Sequence, residues 1–154
     1  MKHVLCIAAL ALGQLVSAQS YNDLVEIVRS DLRTEKQAIV LANLGLSEEQ
    51  SAIFTPLYDA YSSDMKAHWD KRIALIKDYA AKYETMDEES AKSLMAQSMK
   101  LETEAISIRD SHAKKMMKVL PATTTARWVQ IERRLSQIME LQLADEIPLM
   151  PAKQ

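Results

Sequence analysis

The chain has 154 residues, with 19 Lys and Arg against 21 Asp and Glu for a formal net charge of −2, and it holds two glycines, four prolines and one cysteine. Charges of both signs alternate, as in Asp70-Lys71-Arg72 and Glu132-Arg133-Arg134, which excludes the basic face that nucleic acid requires and reads as solvated helix surface with local ion pairs. A lone cysteine excludes an internal disulfide, and so little Gly and Pro excludes a β-fold with many tight turns.

Met1 to Ala18 reads as a secretory signal peptide. Lys2 follows the start, Val4 to Leu12 form an apolar core, and Val16-Ser17-Ala18 supplies the small residues behind which a signal peptidase cuts. The apolar run is too short to cross a bilayer, which takes about 20 residues. The mature chain is therefore expected to begin at Gln19, to be exported, and to carry no thiol once Cys6 is removed. A single helical domain over 19–146 and a C-terminal tail over 147–154 are expected to follow.

A first helix is expected from about Tyr21 to Ala42, with Leu24, Ile27, Val28 and Leu32 on one side. Gly45 supplies its stop, because glycine tolerates the left-handed conformation without a side-chain penalty. Ser47 then stands as N-cap of a second helix with Gln50 three residues on, a capping box in which each side chain bonds the other residue's backbone N–H. Glu48 and Glu49 place negative charge at the positive end of the same helix.

This second helix is expected to reach about Glu84, some 55 Å. Its apolar marks are Ile53, Leu57, Tyr61, Met65, Trp69, Ile73, Ile76, Ala80 and Tyr83; the early steps of four make the buried stripe wind around the helix. Pro56 removes a backbone donor and is expected to kink the helix or delay its start. Thr85 and Glu88 repeat a cap signal and open a third helix, to about Leu120. Along it Leu94, Leu101 and Ile108 recur at seven, as do Ala91, Ser98, Ala105, His112 and Val119, a two-row seam for another helix. Pro121 ends that helix, and Thr123 to Thr125 offer caps for a fourth carrying Trp128, Ile131, Leu135 and Ile138. The tail Ile147-Pro148-Leu149-Met150-Pro151 cannot be helical throughout.

Catalytic patterns are weak. Asp110-Ser111-His112 holds the three residue types of a hydrolytic triad, yet helix neighbours point about 100° apart and cannot converge. The sequence has no phosphate-cradling glycine loop, no cofactor is expected, and the reading is non-enzymatic. Metal binding has a better case: His112 and Met116 share a helix face, as do Met95 and Met99, and thioethers with imidazole suit copper, while zinc would need ligands brought together from the helices of His68 and His112 or from two subunits. Against this, a buried histidine with a satisfied hydrogen bond also explains a seam position. Methionine is unbranched and polarizable, so Met95, Met99, Met116 and Met117 offer an adjustable binding face, with core packing as the plainer alternative.

The segment Leu46-Ser47-Glu48-Glu49-Gln50 resembles the Leu-Thr-x-x-Gln motif of the Spy/CpxP-like family of exported helical proteins, with serine where threonine is usual. The run Ile53-Phe54-Thr55-Pro56-Leu57-Tyr58 just inside the helix strengthens the likeness, which covers most of Asp31 to Pro148. Family members usually carry the motif twice; here Met86-Asp87-Glu88-Glu89-Ser90 and Leu120-Pro121-Ala122-Thr123-Thr124 occupy the later helix starts and both depart from the pattern. The resemblance implies an all-α fold of four helices with a long helical hairpin, extended and dimeric, in the periplasm. It also implies an ATP-independent chaperone or envelope-stress protein that holds unfolded clients, or else a metal-responsive protein or an adaptor docking to a membrane stress sensor. The expected partners are unfolded or envelope proteins and a second copy of the chain, with no nucleic acid. Trp69, Met95, Met99 and Met116 are the candidate client contacts, and His112 with Met116 the candidate metal ligands.

Overall fold

The structure, a computed structural model, describes residues 35–152. The chain divides between Ile39 and Val40; of the first unit only the helical residues 35–39 are described, and the second runs from Val40 onward. The expected signal peptide, the start of the mature chain and most of the expected first helix lie outside the described residues. Among these residues there are four helices and no strand, so the all-α class holds. They are α1 (35–44), α2 (Glu48–Lys82), α3 (Glu88–Met116) and α4 (Ala122–Glu146), with a short 3-10 turn, Tyr83–Thr85, between α2 and α3. None of these is long and apolar enough to cross a membrane.

Each boundary has a local cause. Gly45 adopts φ +63°, the left-handed geometry that a side chain resists, and releases the chain from α1. At α2 the Ser47 hydroxyl accepts the Gln50 N–H at 3.2 Å while the Ser47 N–H donates to Gln50 Oε1 at 3.2 Å, so the capping box is closed in both directions. Helix α2 runs through Pro56 without interruption. Pro56 and Ala52 both lie on the exposed side of α2, away from the buried row, where the backbone donor that proline lacks is lost outside the core.

The start of α3 differs from the sequence expectation. Asp87, not Thr85, is the N-cap, its carboxylate accepting from Ser90 N–H at 2.7 Å, and Thr85 is absorbed in the 3-10 turn. A charged acceptor makes a stronger cap than a hydroxyl, and this bond holds the Asp87 carboxyl below its usual pKa range. The α-helical part of α3 stops at Met116, with Leu120 N–H returning to the Met116 carbonyl, so Val119 sits in a turn and is exposed instead of lying on the seam. Helix α4 starts directly behind Pro121 with no side-chain cap. Thr125, expected as one of the caps, lies inside the first turn and is buried.

The buried row of α2 is Phe54, Tyr58, Tyr61, Met65 and His68, spaced alternately by four and three, followed by Ile73. That alternation keeps one face toward the partner helices, so the stripe does not wind as expected from Ile53 and Leu57. Ile53 is 36% exposed and Leu57 half-buried. The main hydrophobic cluster joins Val40 and Leu44 of α1, Phe54, Tyr58, Tyr61 and Met65 of α2, Met116 at the end of α3, Leu120 in the turn beyond it, and Trp128 of α4. Its aromatic spine is continuous, with Phe54 stacked on Tyr58 at 5.4 Å and Tyr61 edge-on to Trp128 at 4.9 Å between ring centres. On α4 the buried row is Thr125, Trp128, Glu132, Met139 and Leu143; Ile138, expected inside, is exposed.

Replacing Ser47 by alanine removes the cap oxygen and is expected to lower the unfolding free energy by about 1 kcal/mol, with Ser47→Thr close to wild type. Urea titration followed by circular dichroism reads this directly. An unchanged midpoint for Ser47→Ala would mean that the box adds nothing in solution.

Candidate functional site

Two neighbourhoods stand out, one inside the protein and one on its surface. Inside, Glu132 has no solvent exposure. Its carboxylate accepts a hydrogen bond of 2.7 Å from the Tyr61 hydroxyl and a longer one of 3.3 Å from Tyr58, one turn earlier on α2. Burial first, then the Glu132 charge and its acceptance of the hydroxyl proton, push both phenols well above their ordinary pKa. Both tyrosines are therefore held in the protonated form that donates to Glu132. Arg109 of α3 acts on the same Tyr61 hydroxyl in the opposite sense, by charge and by hydrogen bonding, and donates from Nη2 to Ser136 Oγ of α4 at 3.2 Å. Three helices thus meet through one hydroxyl, which can accept on one side and donate on the other.

In sequence, Glu132-Arg133-Arg134 reads as solvated surface. Arg133 and Arg134 are indeed exposed, and Glu132 alone turns inward. A positional signal existed: Glu132 is four residues after Trp128, on the same helix face.

His112 belongs to the edge of this network. It is buried, lies edge-on to Tyr61 at 5.6 Å, and its Nε2 is 2.8 Å from Asp64 Oδ2. Met116 one turn later has no exposed surface and is a core residue. That corrects its assignment as a client contact, since a side chain enclosed by the hydrophobic cluster cannot reach a partner without unfolding. For the expected His112 and Met116 metal pair, the imidazole nitrogen is engaged by Asp64 and the thioether is packed among apolar groups. Among the described residues no group of three or more His, Cys, Asp or Glu gathers that could hold a metal ion.

His68 lies further along α2 and is also buried. Its Nδ1 has no hydrogen-bond partner, and Glu104 Oε2 at 3.9 Å is an electrostatic neighbour only. Burial is the main force on its pKa and lowers it; Glu104 opposes that, while Arg72 and Lys71 reinforce it. Lys71 bonds Glu104 and holds that carboxyl below its usual range.

On the surface, Met95, Met99, Ile106 and Met117 are 58%, 62%, 64% and 51% exposed. At about 100° per residue these positions fall within about 40° of one another around α3 and the turn that closes it, a row about 33 Å long. Lys92, Glu102 and Asp110 are exposed on the flanks of the row. Of the other sequence-derived candidates, Trp69 is half-buried against the main cluster, with the Arg72 guanidinium 5.6 Å from its ring centre, and Leu46 is half-buried against the same cluster beside the Ser47–Gln50 cap. The structure therefore groups Met95 and Met99, adds Ile106 and Met117, and separates Trp69 and Met116 from them.

Comparison with protein-family models, with curated proteins and with solved structures finds no match to this chain.

Glu132→Ala leaves two buried hydroxyls without their acceptor and is expected to cost about 2–4 kcal/mol in urea unfolding, while Glu132→Gln, which keeps a carbonyl oxygen, loses less. Equal losses would show that the acceptor is not what matters. For His68 the folded pKa lies below the ordinary 6.5, so the unfolded chain takes up its proton first as the pH falls. Stability is then expected to decline as pH drops through that value, and His68→Gln should flatten the difference between unfolding at about pH 7.5 and about pH 5.5. An undiminished difference in the variant would assign the pH dependence to other groups.

Proposed function

We propose that this chain is a non-enzymatic binding protein of the periplasm that holds unfolded envelope proteins without ATP. The observation that carries this reading is the row Met95, Met99, Ile106 and Met117, four large apolar side chains left in water along one face of α3. Isolated exposed apolar residues are ordinary, but an aligned set is a contact surface in search of a partner. Three of the four are methionines, whose unbranched thioether chains adapt to clients of differing shape, and the flanking charges keep a complex soluble. The capped segment Leu46 to Gln50 and its likeness to the Spy/CpxP-like motif support the same reading. The four-helix arrangement would then be that family's, with an extended body, a second copy of the chain as partner and export through the leader at Met1 to Ala18.

The test is light scattering by a chemically unfolded client diluted into buffer, with the purified protein and no nucleotide. The protein at stoichiometric excess is expected to suppress aggregation. Met95→Gln, Met99→Gln and Ile106→Gln combined should weaken suppression about fivefold or more while each site, being exposed, changes stability by no more than about 0.5 kcal/mol. Absence of suppression by the wild type would overturn the reading, as would full activity in the triple variant.

A further inference from the structure

A cavity of about 230 Å³ lies between the turn-proximal halves of α2 and α3, under the C-terminal tail. Its walls are Leu75 and Ile76 of α2 and Leu94 and Leu101 of α3, with Met95 at the rim. Ile147 and Met150 form its cover, held in place by the Tyr79 hydroxyl, which donates to the Pro148 carbonyl at 2.9 Å. The helices are antiparallel, as the Lys71–Glu104 and Asp64–His112 pairs show, so Leu101 stands beside Arg72 at one end and Leu94 beside Tyr79 at the other.

Arg72 gives the cavity its chemistry. It lines the end away from the Tyr79–Pro148 bond, its Nε is buried without a hydrogen-bond partner, and its guanidinium faces the Trp69 ring. The nearby carboxylate Glu104 is taken by Lys71. Among the described residues no acid pairs with Arg72. Arg72 is half-buried, and a permanent cation beside an apolar slot with one donor unpaired offers a carboxylate both a charge and a hydrogen bond.

We propose that this cavity binds a free medium-chain fatty acid, its carboxylate on Arg72 and its alkyl chain between Leu101, Ile76 and Leu94 under the tail. Shape and charge agree on that ligand. Arg72 to Tyr79 is two helical turns, about 10 Å, and an extended carbon chain advances about 1.25 Å per bond, so about eight to ten carbons fill the slot. The volume falls below the roughly 300 Å³ at which clefts begin to take drug-sized ligands, which favours one linear chain over a ring system. Apart from Arg72, the polar side chains on the lining are Ser98 and Tyr79, and the Tyr79 hydroxyl is already committed to Pro148. This site is independent of the client-binding face, with Met95 the one residue common to both.

Isothermal titration of the full chain with sodium decanoate, below its micelle concentration, tests the assignment. One saturable site is expected, with no comparable binding of decyltrimethylammonium, which has the same tail and the opposite charge. Arg72→Gln should weaken decanoate binding about tenfold or more while changing the affinity for neutral 1-decanol by less than about twofold. Ser98→Trp, which fills the slot, should abolish binding of both, provided its circular dichroism matches wild type; if it does not fold, the Arg72→Gln comparison decides. Lack of saturable decanoate binding, or equal affinity in Arg72→Gln, overturns the proposal. So does binding to phosphatidylglycerol vesicles without binding of the free acid, which would assign the cation to a lipid surface.

Discussion

The hydroxyl of Tyr61 and the carboxylate of Glu132 meet at 2.7 Å in the interior, where neither can turn to water instead. A buried acid is a poor source of stability, because removing it from solvent costs about as much as its partners return. What it does is forbid alternatives. Sliding α4 by one turn against α2 would separate Glu132 from Tyr58 and Tyr61 and leave two phenols without their acceptor, so the relay favours this axial register. Trp128, one turn before Glu132, can then meet Tyr61 edge-on, and Arg109 can reach both Tyr61 and Ser136. Apolar packing supplies the attraction between the helices of this unit, and the polar relay selects where they stop.

How much of this was legible in the sequence depended on how far apart the interacting groups lie. The Ser47–Gln50 cap and the Gly45 stop are determined within a few residues, and the sequence pattern carries them whole; Pro121 marks the start of α4, while α3 already ends at Met116. The choice between Thr85 and Asp87 as cap of α3 turns on which acceptor reaches an N–H, a competition that two adjacent signals leave open. Tyr61 and Glu132 are 71 residues apart, and the one local mark on Glu132, its place four residues after Trp128, does not say which group it meets. Likewise, Ile53 and Phe54 offer two registers for the buried row of α2. The structure takes the one that lets Phe54, Tyr58 and Tyr61 share a face, because the rings then have Trp128 to pack against.

The candidate sites show the same dependence. Methionine content alone does not separate core filling from surface contact, and this chain uses both: Met65, Met116 and Met139 are buried, while Met95, Met99 and Met117 are in water. The difference is helix face, which the seven-residue seam of α3 partly encodes. Leu94 and Leu101 point inward, so Met95 and Met99, on other faces, cannot. Met116 obeys the same rule, since it lies four residues after the buried seam residue His112 and on its face.

Buried groups are unevenly distributed along the α2–α3 hairpin. Near the Tyr61 end lie the aromatic spine, the Glu132 relay and the main cluster; toward the Tyr83–Thr85 turn, the buried apolar side chains of the hairpin are Ile73, Leu94 and Leu101, and the two leucines line a cavity. Opening a segment costs in proportion to the contacts it surrenders, so the hairpin has a gradient of local stability along its length. The hairpin is thus anchored at one end and compliant at the other, and the Tyr79–Pro148 bond spans the compliant part as a brace.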